Sequence, residues 1–555
     1  MGGVHNRGPP FLHFSKISPR FLHPDLPMSS SSNPDSDSND SAAVQEEVNA
    51  LWDRQLNKKV RQSYRRKMAA FLVYLFAHQQ TCLNQQFVQL SAMTSGTTVN
   101  DLMPFLDQPN IVVPPVVFSQ VTGDLFMNWI VRIRKPDGIS KPKSYGAYRS
   151  ALSNLFRDYQ VPMPLSIKDR LKGMFKGLKK TVTDDVACGD GEVRVGKLPL
   201  PFGTYTWFAR KMLSMEQPVY TYGHLCMLLS WNLMCRFSNT KSICWTHMEW
   251  RQDALGIYFA QMKNDQGGDR PRDPRHIYAN PCNFVVCPIL ALGLYMLSFT
   301  FSDSPFVFEG GCQDDRFNKF FVNFLSLPDV EAYLRSIGLK PADIGTHSFR
   351  KGASTYAASG STAGPSMVAL QLRAGWSMPG VTGTYLRYEA AGDQHTGRTV
   401  CGLPVDSASF ATLPPHFPAQ DFLQGGNPFV QDCLKALFPT YPDHLMLVAE
   451  MGLASVVYHW NRGLSALLSP QHRVFSTPLL TVPGMLQTLT SSVRCRYDPF
   501  LTCHQYASTP VCPCRMYEPG DRMTPTGVPP HVSLLVNVRH LAEELAQVQD
   551  DITAL

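Results

Sequence analysis

THSFRKGASTYAASGSTAGPSMVALQLRAGWSMPGVTGTYLRY, residues 346–388, is the stretch from which the rest of the chain is read. It carries His347 and Arg350 in an H-x-x-R arrangement, then Gly375-Trp376, then Tyr385. Residues three apart on a helix share a face, so His347 and Arg350 can converge on one ligand. The pair suits a phosphate: arginine offers a rigid, permanently charged fork, and histidine a hydrogen bond or a proton. A tyrosine nearby can then serve as a nucleophile.

This ordered set resembles the tyrosine recombinases, the family of the phage integrases. In that family H-x-x-R is followed by Gly-His or Gly-Trp and, nine residues later, by the nucleophilic tyrosine. Here Tyr385 stands nine residues after Trp376, whereas Tyr388 stands twelve after it. An isolated H-x-x-R arises by chance in many chains; the ordered set is more specific. The surrounding RAGW and YLRYEAAGDQ are most similar to the recombinases of Crypton-type transposons. The resemblance implies a mainly α fold with a small β-sheet (α+β). It further implies a two-domain clamp, a helical core-binding domain and a catalytic domain closing on duplex DNA, here followed by a C-terminal helical extension.

With 555 residues and 44% hydrophobic content, the chain can build two to four domains with sizeable cores. No uncharged apolar run of about 18 residues occurs, so no membrane span is expected. MGGVHNRGPP has no signal-type apolar core and no Ser or Thr at position 6 for myristoylation. Fourteen scattered cysteines read as reduced intracellular thiols. The net charge of +7 is modest, but its distribution is uneven. From Arg132 to Lys180 there are 13 Lys or Arg against 3 Asp, and from Arg54 to Lys67 there are 7 basic residues and no acid. Two such blocks point to a nucleic-acid partner, which the resemblance implies is double-stranded DNA, with solvated helix faces as the plain alternative. The candidate contacts are Lys58, Lys59, Arg61, Arg65, Arg66, Lys141, Lys143, Arg149, Lys172, Lys176, Lys179 and Lys180. KKVRQSYRRK, 58–67, equally suits import into a nucleus.

Residues 1–44, rich in Pro, Ser, Asn and Asp, are expected to be disordered, and translation could start at Met28. Residues 45–182 read as helical and would form the core-binding domain. Tyr145, Tyr148, Leu152, Leu155 and Phe156 lie on one stripe, with both tyrosines read as core. Residues 183–197, glycine-rich and acidic, read as a linker. Residues 198–417 would be the catalytic domain, with 393–417 loop-like, and residues 418–555 an extension.

Within 198–417 an apolar helix is broken at Cys235-Arg236-Phe237-Ser238. An arginine ending a buried helix is costly unless it meets an anion. By the resemblance Arg236 takes the place of the first catalytic arginine, although Asn239 stands where the family usually has an acid. An alternating strand (Leu255, Ile257, Phe259) leads to Lys263, placed where the family keeps its general acid. Arg270 and Arg272 share the loop, but arginine cannot release a proton. The resemblance thus implies a catalytic set of Arg236, Lys263, His347, Arg350, Trp376 and Tyr385. It implies no cofactor, and a tetramer of the protein on its DNA.

At the C-terminus Leu534, Val538, Leu541, Leu545, Val548, Ile552 and Leu555 step by 4 and 3 alternately, a heptad seam that either zips protomers together or packs on its own body. Cys495, Cys503, His504, Cys512 and Cys514 cluster, but C-x-C is not the usual zinc spacing, and no metal is expected. No Walker loop or H-E-x-x-H is present. The expected function is a site-specific DNA recombinase or transposase working through a 3′-phosphotyrosyl intermediate. The alternatives are a non-cutting DNA-binding protein derived from such an element, and type IB topoisomerase-like activity.

Overall fold

The computed structural model describes Glu47 and residues 58–106, 113–133, 142–188, 196–259, 273–302, 304–376, 390–418, 427–495 and 525–554. They belong to two compact units, Met1–Val195 and Gly196–Leu555.

Among its described residues the first unit's named elements are all helices, α or 3-10, joined by turns and one isolated bridge between Leu83 and Val116. Its longer helices are Lys58–His78, Gly123–Arg132, Pro142–Asp158 and Leu165–Ala187. The Thr122 hydroxyl starts the second of these by accepting the Leu125 N–H at 3.1 Å, which satisfies an otherwise orphaned donor. Phe71, Leu72, Phe126, Trp129, Leu152 and Phe156 are buried in the core. Phe71 lies 4.9 Å from Trp129 between ring centroids, and Tyr148 lies 5.3 Å from the same indole. Contacts of this kind each add about 0.5–1.5 kcal/mol beyond area burial. Tyr145 is buried in this core and Tyr148 packs against it.

The second unit is built around two apolar helices. Pro218–Asn232 is buried from Thr221 onward, and Pro288–Ser298 is buried along its whole length. Beside them stand three short antiparallel strands, β1 (Met248–Arg251), β2 (Ala254–Ile257) and β3 (Arg275–Ile277), in the order β1-β2-β3. Trp250 pairs with Leu255, and Leu255 with Ile277. The alternating strand expected through Phe259 is instead a strand that ends at Ile257 and is buried at all four positions. Helices pack on the sheet, Ala390–Val400 against β3 and Met446–His459 against β1, so β2 and β3 keep no solvent face to demand polar residues, while β1 exposes Glu249 and Arg251.

The 393–417 region is not a loop throughout, as the sequence suggested. It opens with the Ala390–Val400 helix and includes a 3-10 turn at Ala408–Ala411. The helix is hard to see in sequence because its buried face is polar: Asp393, Thr396, Arg398 and Thr399 are all inside. Beyond residue 417, Val430, Leu434, Val448, Leu453, Leu464 and Leu489 enter the same core as the Pro218–Asn232 helix. At one crossing the backbones touch. A Cβ on Gly293 would stand 2.4 Å from the Gly452 carbonyl oxygen, so the Pro288–Ser298 and Met446–His459 helices require glycine there.

Candidate active site

The site begins where the Pro218–Asn232 helix ends. Met234 takes a left-handed conformation, φ 48°, which L-residues adopt at a cost. It turns the chain so that Arg236 becomes the N-cap of the short helix Phe237–Thr240. Arg236 is half-buried there.

Arg350 arrives from the Thr346–Ser359 helix. That helix presses against its surroundings at Gly352, where a Cβ would lie 2.2 Å from the Leu200 carbonyl oxygen and 2.7 Å from the Trp231 ring. The close approach fixes the helix and sets Arg350 inside the protein, while His347 is exposed at the helix start. Arg350 Nη2 donates to the Ala374 carbonyl at 2.6 Å. Burial lowers the Arg350 guanidinium to about 10, and the Arg236 charge adds to that effect. Arg350 remains cationic near neutrality. The like charge of Arg236 thus opposes that of the buried Arg350, an arrangement that costs free energy until an anion offsets it.

Trp376 joins them through a glycine. The Met367–Ala374 helix is capped by the Ser366 hydroxyl and closes at Gly375, φ 63°. The Gly375 N–H donates to Leu372 and the Trp376 N–H to Gln371, the hydrogen-bond pattern of a Schellman cap. This reversal sets the Trp376 ring 5.7 Å from the Arg350 guanidinium carbon.

A buried lattice that sequence reasoning missed lies behind these groups. Arg373, with its side chain fully enclosed, pairs with Asp393 at 2.6 Å. It also donates to the carbonyls of Asn232 at 2.7 Å and His276 at 2.8 Å. Asp393 accepts from the His276 backbone N–H and ring Nδ1, each at 2.9 Å. Burial alone would raise the Asp393 carboxyl, but Arg373, the His276 hydrogen bond and Arg275 hold it well below the carboxylate range. Arg373 thereby ties the end of the helix leading to Arg236 to β3 and to the Ala390–Val400 helix. Its neighbour Ala374 holds Arg350.

The other expected catalytic residues, Lys263, Tyr385 and its rival Tyr388, lie outside the described residues, as do Arg270 and Arg272. β2 and β3 do bracket the Lys263 segment as antiparallel neighbours. Asn239 is buried just after Arg236. Among the expected DNA contacts, Lys58, Lys59 and Arg66 are exposed, and Arg61 and Arg65 are half-buried. Arg61 and Arg65 also act on the Asp158 carboxyl, which burial raises and their charges lower. Arg149 is exposed and sits 5.4 Å over the Phe175 ring. Lys172, Lys176, Lys179 and Lys180 are exposed on the Leu165–Ala187 helix, where their spacing gathers them on one face. Lys141 and the side chain of Lys143 are not among the described residues. Cys495 is buried, with its thiol 3.5 Å from the Leu413 carbonyl. Cys503, His504, Cys512 and Cys514 lie outside the description. Among the described residues no helix is long and apolar enough to cross a membrane, and no three His, Cys, Asp or Glu gather as metal ligands.

No family model and no curated protein matches the chain. Solved structures similar to it include a Flpe mutant in a DNA Holliday-junction complex, at 9% identity and a TM-score of 0.31, over 57% of this chain and 78% of that one. Another is the XerH site-specific recombinase bound to difH substrate, a pre-cleavage complex, at 12% identity and a TM-score of 0.26, over 60% and 95%. Superpositions this loose decide nothing about chemistry.

Proposed function

We propose that this chain breaks and rejoins DNA strands as a tyrosine recombinase, with a phosphodiester held between Arg236 and Arg350. The observation that carries the reading is the buried Arg350, with the Trp376 ring 5.7 Å from its guanidinium carbon and the like charge of Arg236 acting on it. Such a pair is best satisfied by one anion with several oxygens.

In this reading the Tyr385 phenol attacks phosphorus in line with the leaving 5′ oxygen. Its proton leaves as the bond forms, aided by the cationic surroundings and by His347. Arg236 and Arg350 neutralise the non-bridging oxygens in the transition state. Pre-placed charges of this kind contribute about 3 kcal/mol each. Lys263 protonates the departing 5′ oxygen. The product is a 3′-phosphotyrosyl bond and a free 5′-hydroxyl. A 5′-hydroxyl from another strand then reverses the step, which conserves the bond energy.

The test is a covalent trap. The purified chain is incubated with supercoiled and nicked DNA bearing its own gene's flanks, stopped with SDS and digested, and nucleotide-linked peptides are identified by mass spectrometry. The expected adduct is on Tyr385 and disappears in Tyr385→Phe. An adduct on Tyr388 would move the nucleophile. No adduct on DNA that the protein demonstrably binds would replace the proposal with a non-cutting DNA-binding role.

A further inference from the structure

The Pro530–Ala554 helix is 25 residues long, about 37 Å at the usual rise. Its described seam residues Leu534, Val538, Leu541, Leu545, Val548 and Ile552 are each more than half exposed. Six large apolar side chains on one stripe of a single helix are far from the scattered exposure normal for a surface.

The contacts at the base of the helix distinguish the two ways of using this stripe. In heptad terms Val538, Leu545 and Ile552 occupy a positions, and Leu534, Leu541 and Val548 occupy d. The apolar residues that touch the body are Val532 and Val536, at b and f, while His531, at the a position one heptad before Val538, meets the Val405 carbonyl at 3.0 Å. The two valines pack against Leu403, Val405 and Phe410. Beyond His531 in its first turn, the helix is therefore held by the side away from its seam. The connection is firmly pinned as well: Thr526 bonds both carboxylate oxygens of Asp253, at 3.0 Å through its N–H and 2.6 Å through its hydroxyl. Asp253 in turn pairs with the buried Arg398. Gly527, φ 66°, fits against Gln394, where a Cβ would come within 2.5 Å of backbone carbon.

We infer that the Pro530–Ala554 helix pairs with the same helix of a second copy of this chain, as a parallel two-stranded coiled coil. Two β-branched residues at a (Val538, Ile552), with leucine at two of three described d positions, is the pattern that favours two parallel strands. Charge selects the orientation. In a parallel pair Glu544, at g, faces Gln549 of the other copy, at e, and Asn537 faces Ala542. In an antiparallel pair overlapping along the whole seam, Glu544 would face Glu544. The helix carries Arg539 against Glu543, Glu544, Asp550 and Asp551. That acidic balance disfavours DNA or an anionic membrane as the occupant of the stripe. The pairing would join two Gly196–Leu555 units through a rigid base.

Sedimentation equilibrium of the full chain without DNA tests this. The expected mass is twice that of one chain, falling to one chain in Leu541→Glu/Leu545→Glu. Asp550→Lys, on the outer f position, should leave the dimer intact. The near-ultraviolet circular dichroism of the double variant should match the parent, because both leucines are exposed. Leu534→Cys should form a disulfide-linked dimer on mild oxidation beyond any seen in the parent chain. A monomeric parent at micromolar concentration, a dimer that survives the double substitution, or a trimeric or larger mass would overturn the inference. A dimer in which Leu534→Cys adds no cross-link would overturn the parallel arrangement.

Discussion

Replacing Asp393 by asparagine removes a charge while nearly keeping the shape, and the structure sets the expected cost. Arg373 has no exposed side-chain surface and Asp393 has 4%. Deleting one partner of a buried pair costs about 3–5 kcal/mol, because the other charge is left in a low-dielectric interior. The Asp393 side chain accepts from Arg373 Nη1, the His276 N–H and His276 Nδ1. One amide oxygen cannot replace two carboxylate oxygens for all three donors. Differential scanning calorimetry of the DNA-free chain should show the transition of the Gly196–Leu555 unit falling by roughly 6–10 °C, at about 2 °C per kcal/mol for a unit of this size. Arg373→Met/Asp393→Leu should recover most of the loss, since a buried pair replaced by apolar groups is often neutral. The pH dependence has a definite sign. A carboxyl held low in the folded state contributes stability that is fully present above its unfolded value near 4, and that is lost as pH falls through the depressed folded value. The difference between the parent and Asp393→Asn should therefore shrink below about pH 4. A loss under about 1 kcal/mol, or a difference constant down to pH 3, would refute the account of the buried lattice.

Two buried histidines give a second acid signature. Burial pushes His224 and His472 down to about 4, so both are neutral when folded. The stability this allows is whole above about pH 6.5 and is lost as pH falls toward 4, at up to about 1.4 kcal/mol per pH unit for each ring. His472 Nδ1 accepts the Val474 N–H at 3.2 Å, so His472→Asn can keep that bond and should flatten the slope; equal slopes in the two proteins would refute this. Gly352→Ala should destabilise the second unit by about 2 kcal/mol or more in urea, because backbone at Leu200 cannot yield to the new methyl. A parent-like midpoint would show that the Thr346–Ser359 helix is not fixed there.

The sequence disclosed the parts of this molecule whose periodicity or spacing is one-dimensional. The long helices of both units and the heptad stripe were legible in that way. The Ala390–Val400 helix was not, because a run such as DQHTGRT has no apolar stripe; its inward groups are polar and are satisfied only by residues far off in the chain. Arg373, Asp393 and His276 stayed hidden for the same reason, since their pairing spans 20 to 117 residues and leaves no local signature. β2 misled by its composition, as alternation cannot be told from full burial over four positions. The packing of 428–493 into the second core was illegible because the decisive contact, Gly293 on Gly452, is a fit between two small residues.

The crowding of Arg236 and Arg350 has a consequence for how this chain would drift. In a lineage released from holding an anion, substituting either arginine would relieve an unfavourable charge contact, so neutral mutation should erode that pair early. Arg373 would behave in the opposite way: its ion pair and carbonyl contacts make its loss costly whatever the chain is used for. A descendant that kept Arg373 and Asp393 but had lost Arg236 or Arg350 would then be a scaffold without the proposed anion between its guanidiniums.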